Sequence, residues 1–211
     1  MSKPTGGDAT VVTLEEAQEL VREKLSEKRY KHVKNVVEAA RKLAVHYEVD
    51  VQKAQLAGWL HDIVKESSRE ELLQLLRRDA IMAGATEQRP LPVWHGPCAA
   101  IYAKQELGVQ DGEILSAIAC HTTGKSDMSL FDKVIFLADI ISAERSFPGV
   151  GKLRKLAFED LDEAVIAAME ENIIHLNKLH KPLDTDTVQA LESLRAQRPT
   201  RRKATMEAKR P

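Results

Sequence analysis

One histidine and one aspartate stand side by side in the most apolar segment of the chain. His61 and Asp62 lie within residues 51–65, where hydrophobic residues fall on nearly all sides of the predicted helix, so the pattern predicts that both are buried. A buried carboxylate is costly unless it is paired or binds a metal. Because adjacent residues on a helix point about 100° apart, the two side chains can converge on one metal ion, or the aspartate can bridge two.

Four other polar residues interrupt hydrophobic stripes elsewhere in the chain. Asp139 follows a run of apolar residues, and His121 closes another apolar stripe. His32 lies on the inward side of its predicted helix, and His95 stands where a helix is predicted to start. A mixed set of imidazoles and carboxylates fits a transition-metal site. The predicted metal ligands are His32, His61, Asp62, His95, His121 and Asp139.

Each of these residues also has a simpler explanation when it is taken alone. An inward histidine is more often a hydrogen-bonded core residue than a ligand, and a buried aspartate is often a helix cap or an ion-pair partner. The argument for a metal is collective, because four histidines and two aspartates on the inner faces of separate helices are hard to explain independently. His46, His175 and His180 fall on exposed or mixed faces, and we predict that they are solvated.

The elements that must position these residues are predicted to be helices throughout. From Leu14 onward the hydrophobic spacing is helical almost everywhere, and no segment alternates as a strand would. The segment 51–65 is predicted to form one buried helix, and Asp184 is predicted to cap the last helix. We predict a flexible leader over 1–13, one all-α domain over 14–196, and a basic disordered tail over 197–211.

Composition argues against several classes of partner. The net charge is -1 and aromatic residues make up 4% of the chain, so nucleic acid is not expected as the main partner. No apolar run approaches the roughly 18 residues that a membrane span requires. Cys98 and Cys120 form neither a CxxC pair nor a disulfide framework, which favours a reducing cytoplasm. A homodimer is left open.

The ordered set of histidines and aspartates resembles the HD superfamily of metal-dependent phosphohydrolases. The surrounding text is more specific than the HD dipeptide, and it is similar to the bacterial YqeK family, which hydrolyses dinucleoside tetraphosphates symmetrically. The similarity runs from about residue 14 to about residue 180. The segments that carry it are RYKHVKNV (29–36), LAGWLHDIVK (56–65), HGPCAA (95–100), ILSAIACHTTG (114–124), MSLFDKVIFLADII (128–141) and RSFPGV (145–150).

This resemblance implies a helical HD-domain bundle around a dinuclear metal site, and cleavage of diadenosine tetraphosphate into two ADP. It implies that iron usually fills the site, although manganese and cobalt suit the same ligands. One metal would be held by His32, His61, Asp62 and Asp139. Asp62 would bridge to a second metal held by His95 and His121. The resemblance also implies phosphate contacts from Arg29, Lys65 and Arg145.

Several polar residues beside the predicted ligands are candidates for substrate contacts. Lys65 lies one turn beyond Asp62 and can face the metals, so we predict that both take part in catalysis; a surface lysine is an equally good explanation for Lys65. Arg145 could fork onto a phosphate or lie free in a surface loop. Thr122 and Thr123 could bind phosphate oxygens, although the TTG sequence is also an ordinary helix stop.

Two alternatives to tetraphosphate hydrolysis stay open at this point. An HD nucleotidase or a hydrolase of a guanosine polyphosphate alarmone would show the same ligands, and so would a non-catalytic nucleotide-sensing domain that had kept them.

One segment departs from the family pattern. The family tends to carry a carboxylate and a proline soon after Asp139, where this chain has Ser142, Ala143 and then Glu144. Glu144 could take over the role of that carboxylate in a shifted register.

Overall fold

A computed structural model describes residues 12–79 and 84–207, with side chains described up to residue 197. This part of the chain is helical and contains no strand, which confirms the predicted all-α fold. Most of the leader predicted over 1–13 lies outside the described residues. The α-helices, numbered in chain order, are α1 (Leu14–Lys24), α2 (Glu27–His46), α3 (Val51–Leu60), α4 (Arg69–Leu76), α5 (His95–Gln105), α6 (Gly112–Cys120), α7 (Leu130–Ile141), α8 (Val150–Glu159), α9 (Leu161–Lys178) and α10 (Thr185–Glu207), with a short 3₁₀ turn at Leu91–Val93.

Side-chain caps fix where several of these helices begin. The Thr13 hydroxyl accepts a hydrogen bond from the Glu16 backbone N–H, and the Glu16 side chain reaches back to the Thr13 N–H. Ser129 and Asp132 form the same reciprocal box at the start of α7. Such boxes satisfy backbone donors that have no partner inside the helix. The Asp184 carboxylate accepts from the Asp186 N–H at 2.9 Å, which confirms the predicted cap of the last helix.

The core forms where α2, α3 and α7 pack together. Buried hydrophobic residues of these helices, among them Val36, Leu60 and Ile135, belong to one continuous cluster. Gly58 permits the close approach of α3 to α2, because a Cβ at this position would lie 3.2 Å from the Val37 backbone Cα. The inner faces of these helices therefore bring His32, from α2, close to residues at the end of α3.

The end of α3 differs from the expected helix over 51–65. The α-helix ends at Leu60, and His61 and Asp62 lie in the tight turn that follows. The His61 N–H still bonds the Ala57 carbonyl, but the next amides, such as Lys65 N–H to Asp62 C=O at 2.9 Å, bond three residues back. This tighter winding is common at helix ends, and it directs the His61 and Asp62 side chains into the core.

The C-terminal segment is another place where the sequence pattern was less informative. The last helix continues to Glu207, so the backbone of 197–207 is helical although we expected a disordered tail there; 208–211 lie outside the described residues. Within the connection before His95, Leu91–Val93 form a single 3₁₀ turn. Among the described helices, none combines the length and the hydropathy that a bilayer crossing requires.

Candidate metal centre

Asp62 lies at the middle of a buried group of imidazoles. Its side chain is 3% exposed, and its two oxygens face different histidines. Oδ2 lies 3.4 Å from His61 Nε2 and 3.7 Å from His32 Nε2. Oδ1 lies 3.3 Å from His95 Nε2 and 3.6 Å from His121 Nε2. The structure thus brings together two three-residue groups that could each hold a metal ion, and both contain Asp62.

The first group consists of His32, His61 and Asp62. Within the described residues, the buried polar atoms without a hydrogen-bond partner include His32 Nε2 and His61 Nε2 of this group, and Asp62 Oδ1, which faces the second group. Such atoms are costly to bury unless they bind something. Asp139 extends this group, because its Oδ1 lies 3.1 Å from His32 Nε2.

The second group consists of Asp62, His95 and His121. The two imidazole Nε2 atoms lie 3.1 Å apart, and both rings are buried. Two ring nitrogens this close need either a shared proton or a cation between them. A metal ion bound to both, and to Asp62 Oδ1, satisfies all three atoms.

All four rings are oriented by an acceptor at Nδ1. His61 Nδ1 donates to the Gly58 carbonyl and His121 Nδ1 to the Ile118 carbonyl, both at 2.7 Å. His95 Nδ1 donates to the Pro92 carbonyl at 2.9 Å, and His32 Nδ1 contacts the Glu144 carboxylate. With a metal ion on Nε2, the proton would belong on Nδ1, where a carbonyl or carboxylate oxygen accepts it. This is the usual arrangement around metal-binding histidines, so the residues present fit a dinuclear metal site.

The electrostatics of the centre keep its carboxylates ionised. Burial opposes ionisation of Asp62, but His61 and the neighbouring imidazoles outweigh burial and hold its pKa well below the usual range. The pKa of Asp139 is also lowered, because contacts with His32 and Arg145 outweigh burial. Burial, together with the nearby His121 and Lys65, lowers the pKa of His95 well below its usual value. Ionised carboxylates and a neutral imidazole are the forms that bind metals.

Two arginines predicted to contact phosphate pair with the central carboxylates. Arg29 Nη1 donates to Asp62 Oδ2 at 3.0 Å. Arg145 Nη2 donates to Asp139 Oδ1 at 2.5 Å, and its Nε donates to the Asp139 carbonyl. Both arginine side chains remain partly exposed, at 30% and 39%. They therefore form a positive rim between the buried ligands and solvent.

Lys65 also faces the centre. Its Nζ lies 3.1 Å from His95 Nε2, and the side chain is partly buried. Desolvation lowers the pKa of Lys65, although Asp62 and Asp139 oppose the shift. Of the two explanations open from the sequence, the structure has the lysine directed at the ligands rather than extended along the surface.

The two threonines after His121 point in different directions. Thr122 Oγ1 lies 3.0 Å from His95 Nε2 and 3.1 Å from His121 Nε2, so its hydroxyl belongs to the centre. Thr123 is buried and turned away, with its hydroxyl donating to the Gly124 carbonyl and accepting from Arg89. Its hydrogen bonds make Thr123 a structural residue, and the prediction that it contacts substrate finds no support here.

Sequence reasoning missed an ion pair that supports the segments next to the candidate metal centre. Arg89 donates to both oxygens of Asp184, at 2.8 and 2.9 Å, and its own backbone carbonyl accepts from the Trp94 indole at 2.9 Å. The Asp184 side chain is 2% exposed. The pair connects the segment before His95 to the start of α10. The one signal in the sequence was Asp184, which was assigned only as a cap.

A cavity of about 660 Å³ opens from the metal ligands towards α9. His121, Thr122, Asp139 and Arg145 line one end of it. Its other walls mix apolar and polar side chains, namely Phe136, Ile140, Phe147, Pro148, Leu153, Ala168, Glu171, Asn172, Ile174, His175 and Lys178. His46, His175 and His180 are exposed, as predicted, but His175 lies on the cavity wall.

Comparison with known proteins places this site in a defined class. The model of the HD domain matches residues 29–144, which is more than half of the chain. This segment includes all six predicted ligands. The fold and the site are thus those of an HD-domain protein.

Relatives narrow the class further. The symmetrical bis(5'-nucleosyl)-tetraphosphatase of Bacillus subtilis is 39% identical over 82% of this chain and 92% of that protein. The enzyme of the same name from Halalkalibacterium halodurans is 39% identical over 84% of this chain and 95% of that protein. A crystal structure of a predicted HD superfamily hydrolase involved in NAD metabolism, from Clostridium acetobutylicum, matches with a TM-score of 0.85 and 33% identity, over 89% of this chain and 100% of that one. This chain belongs to the HD-domain family of symmetrical bis(5'-nucleosyl)-tetraphosphatases.

Proposed function

We propose that this protein hydrolyses diadenosine tetraphosphate and related dinucleoside polyphosphates symmetrically, and that it releases two ADP from the former. This proposal rests on the position of Asp62. Its two carboxylate oxygens face two separate groups of buried histidines. One carboxylate between two metal positions is the arrangement expected for a dinuclear phosphohydrolase. Relatives that match over 92% and 95% of their own length carry the corresponding enzyme name.

The chain would hold two transition-metal ions, and we propose iron, with manganese and cobalt as ions that the same ligands accept. His32, His61, Asp62 and Asp139 would hold one ion, and Asp62, His95 and His121 the other. Bound in this way, such ions supply a hydroxide near neutral pH and stabilise charge on phosphate oxygens. Metal analysis of the purified protein tests the identity of the ions.

Symmetrical cleavage places the reaction at the centre of the tetraphosphate. The oxygen of water bonds to one of the two central phosphorus atoms, the bond from that atom to the bridging oxygen breaks, and that oxygen leaves with the second ADP. Negative charge grows on the bridging oxygen and on the equatorial oxygens, and fixed cations stabilise it. Arg29, Arg145 and Lys65 are the chain's own cations at this position, and Thr122 offers a hydroxyl beside them.

The cavity explains how a nucleotide larger than phosphate could be held. Its volume of about 660 Å³ lies in the range typical of small-molecule sites. Ile140 and Phe147 offer apolar surface for a base or ribose, whereas Lys178 and His175 offer cationic or polar groups at the α9 side. The cavity therefore provides a place for a nucleoside on the side of the metal ligands that faces solvent.

Product analysis is the direct test of this function. Metal-loaded protein is incubated with diadenosine tetraphosphate, and the nucleotides are separated by anion-exchange chromatography. We expect ADP alone, in a ratio of two per substrate consumed. A mixture of AMP and ATP would contradict symmetrical cleavage. Phosphate release from mononucleotides, without attack on the tetraphosphate, would instead identify a nucleotidase, and no turnover at all would indicate a sensing domain.

Lys178→Ala tests the cavity as the nucleotide site. Lys178 is exposed on the cavity wall, away from the metal ligands, so its loss should weaken substrate binding without changing the chemical step. We expect KM for diadenosine tetraphosphate to rise about 3–10-fold, as loss of one exposed charge–phosphate contact would give, with kcat unchanged. Steady-state kinetics measure both constants.

Lys42→Ala is the matched control, since Lys42 is exposed on α2 and pairs with Glu38. It should leave both constants unchanged. An equal rise in KM for both variants would indicate a general charge effect and not a nucleotide contact.

We further propose that the protein acts in the cytoplasm. Cys98 and Cys120 are both free and buried. Burial raises the pKa of Cys98 to about 12. Two thiols kept in this form are compatible with a reducing compartment.

A further inference from the structure

Within the described residues, the Glu144 side chain contacts His32, Ser142 and Asn35, and these contacts fix its carboxylate beside His32. Its Oε1 contacts His32 Nδ1 and accepts from the Ser142 hydroxyl at 2.7 Å. Its Oε2 accepts from the Asn35 amide at 2.7 Å. Because Asn35 lies one turn after His32 on α2, the carboxylate is held against the same face of that helix. The side chain is 29% exposed, so this is a partly sheltered contact.

This contact distinguishes His32 from the other three histidines. His61, His95 and His121 are oriented by neutral backbone carbonyls three residues earlier in their own segments. His32 lies inside α2, beyond its first turn, where the backbone carbonyls are used within the helix, so its Nδ1 needs an acceptor from elsewhere. A carboxylate at Nδ1 both fixes the ring and makes Nε2 a stronger electron donor.

The loop that carries Glu144 is itself held in place. Arg154, from α8, donates from Nε to the Ile141 carbonyl at 2.9 Å. Its Nη2 donates to the carbonyls of Ser142 and Arg145 at 2.7 and 2.8 Å. One guanidinium group therefore binds backbone on both sides of Glu144. The position of the Glu144 carboxylate thus depends on a braced loop and not on a free side chain.

We propose that Glu144 is the positioning residue for His32, and that it sets the metal affinity of the group formed by His32, His61, Asp62 and Asp139. It does so by keeping the proton on His32 Nδ1, so that the Nε2 lone pair is left for the metal position beside Asp139 Oδ1 and Asp62 Oδ2. The group of Asp62, His95 and His121 does not contact Glu144, so its affinity should not change. This inference rests on the dinuclear centre of the proposed function.

A manganese titration of the metal-free full-length chain tests the proposal. Free Mn²⁺ is followed by its electron paramagnetic resonance signal, which gives the number of bound ions and the affinity of each. We expect wild type to bind two ions. In Glu144→Ala one of the two should bind about 10–100-fold more weakly, the loss typical when the orienting partner of a ligand is removed. The other ion should bind as in wild type.

Glu144→Gln separates positioning from general folding effects. The amide oxygen can still accept from His32 Nδ1 but carries no charge, so we expect the affinity of the same ion to fall by less than in Glu144→Ala. Glu38→Gln is the matched control, because Glu38 is exposed on the same helix and pairs only with Arg41 and Lys42 in the described structure. It should bind both ions as wild type does. Thermal unfolding of the metal-free proteins should be the same for all four.

The outcomes separate this inference from the proposed function. If wild type binds two ions and Glu144→Ala binds both with unchanged affinity, Glu144 has no positioning role and the dinuclear centre stands. Equal weakening of both ions, or a lowered melting temperature of metal-free Glu144→Ala, would make the role a structural one and overturn the proposal. If wild type binds no ion, the proposed function itself fails, and this inference fails with it.

Discussion

Asp62→Ala is expected to abolish hydrolysis and to remove at least one of the two metal ions. Asp62 contributes one oxygen to each ligand group, so its loss reduces both groups at once and leaves no carboxylate in the second. When residues act as a unit, the loss of one of them removes nearly all of the activity of the enzyme. We therefore expect kcat to fall about 10⁴-fold or more. Metal content by mass spectrometry and ADP formation measure the two effects, and far-ultraviolet circular dichroism should show that the helices persist.

Two variants make this expectation specific to the bridging carboxylate. Asp62→Asn keeps the shape of the side chain and removes its charge, and it should be nearly as inactive as the alanine variant. His46→Ala removes an exposed histidine whose ring packs on Tyr47 and Phe158, and it should be almost silent. Wild-type turnover in Asp62→Ala would rule out a bridging role. A severe loss in His46→Ala would contradict the assignment of which histidines face inward.

The six candidate ligands could be singled out from the sequence because the cost of burying a polar side chain depends on the local hydrophobic pattern. A histidine or an aspartate on an apolar helical stripe conflicts with the hydrophobic pattern of its neighbours, unless a partner or a metal ion binds it. His32 and Asp139 stand out in this way on α2 and α7, and both reach the centre. That they converge on Asp62 was inferred from the number and the types of these residues. The structure gives the distances between their side chains.

The supporting contacts could not be predicted in the same way. Glu144 reaches His32 across 112 positions of sequence, and Arg89 reaches Asp184 across 95. An arginine or a glutamate in a loop breaks no local pattern, so the sequence singled out Glu144 only through a departure from the family pattern and did not single out Arg89. Thr123 was assigned to substrate because its hydroxyl stands close to His121 in the sequence, and the hydrogen bond that it accepts from Arg89 was not predictable either.

The helix ends were the other source of error, and they matter for the site. A continuous helix over 51–65 would direct His61 and Asp62 about 100° apart. In the structure both follow the last residue of α3, and His121 follows the last residue of α6 in the same way. His61 and His121 both donate to a carbonyl three residues earlier, at 2.7 Å. Free carbonyls at a helix end thus provide the acceptors that orient two of the ligands.

Arg89→Ala is expected to be the most destabilising of the substitutions considered. Arg89 and Asp184 are 16% and 2% exposed, and the arginine donates twice to the carboxylate. Removing one partner of a buried pair leaves the other charge without compensation, which typically costs about 3–5 kcal/mol. We therefore expect the free energy of unfolding of the full-length chain, measured in urea, to fall by that amount and the melting temperature to fall by roughly 10 °C.

Arg78→Ala is the matched control for this loss. Arg78 also pairs with a carboxylate, that of Glu106, but the two side chains are 47% and 44% exposed. Exposed pairs contribute about 0–1 kcal/mol, so this variant should unfold almost as wild type does. Equal destabilisation of the two variants would show that burial of the Arg89 pair is not the cause.

The loss of Arg89 should also disturb the candidate metal centre. Arg89 is hydrogen-bonded to the two segments that carry the histidines of the second ligand group. Its guanidinium donates to Thr123, two residues after His121, and its carbonyl accepts from Trp94, next to His95. Below the melting temperature of the variant, where the protein is folded, we therefore expect ADP formation to be reduced more than the small unfolded fraction explains. A folded variant with full activity would mean that His95 and His121 keep their places through α5 and α6 alone, and that the ion pair serves stability only.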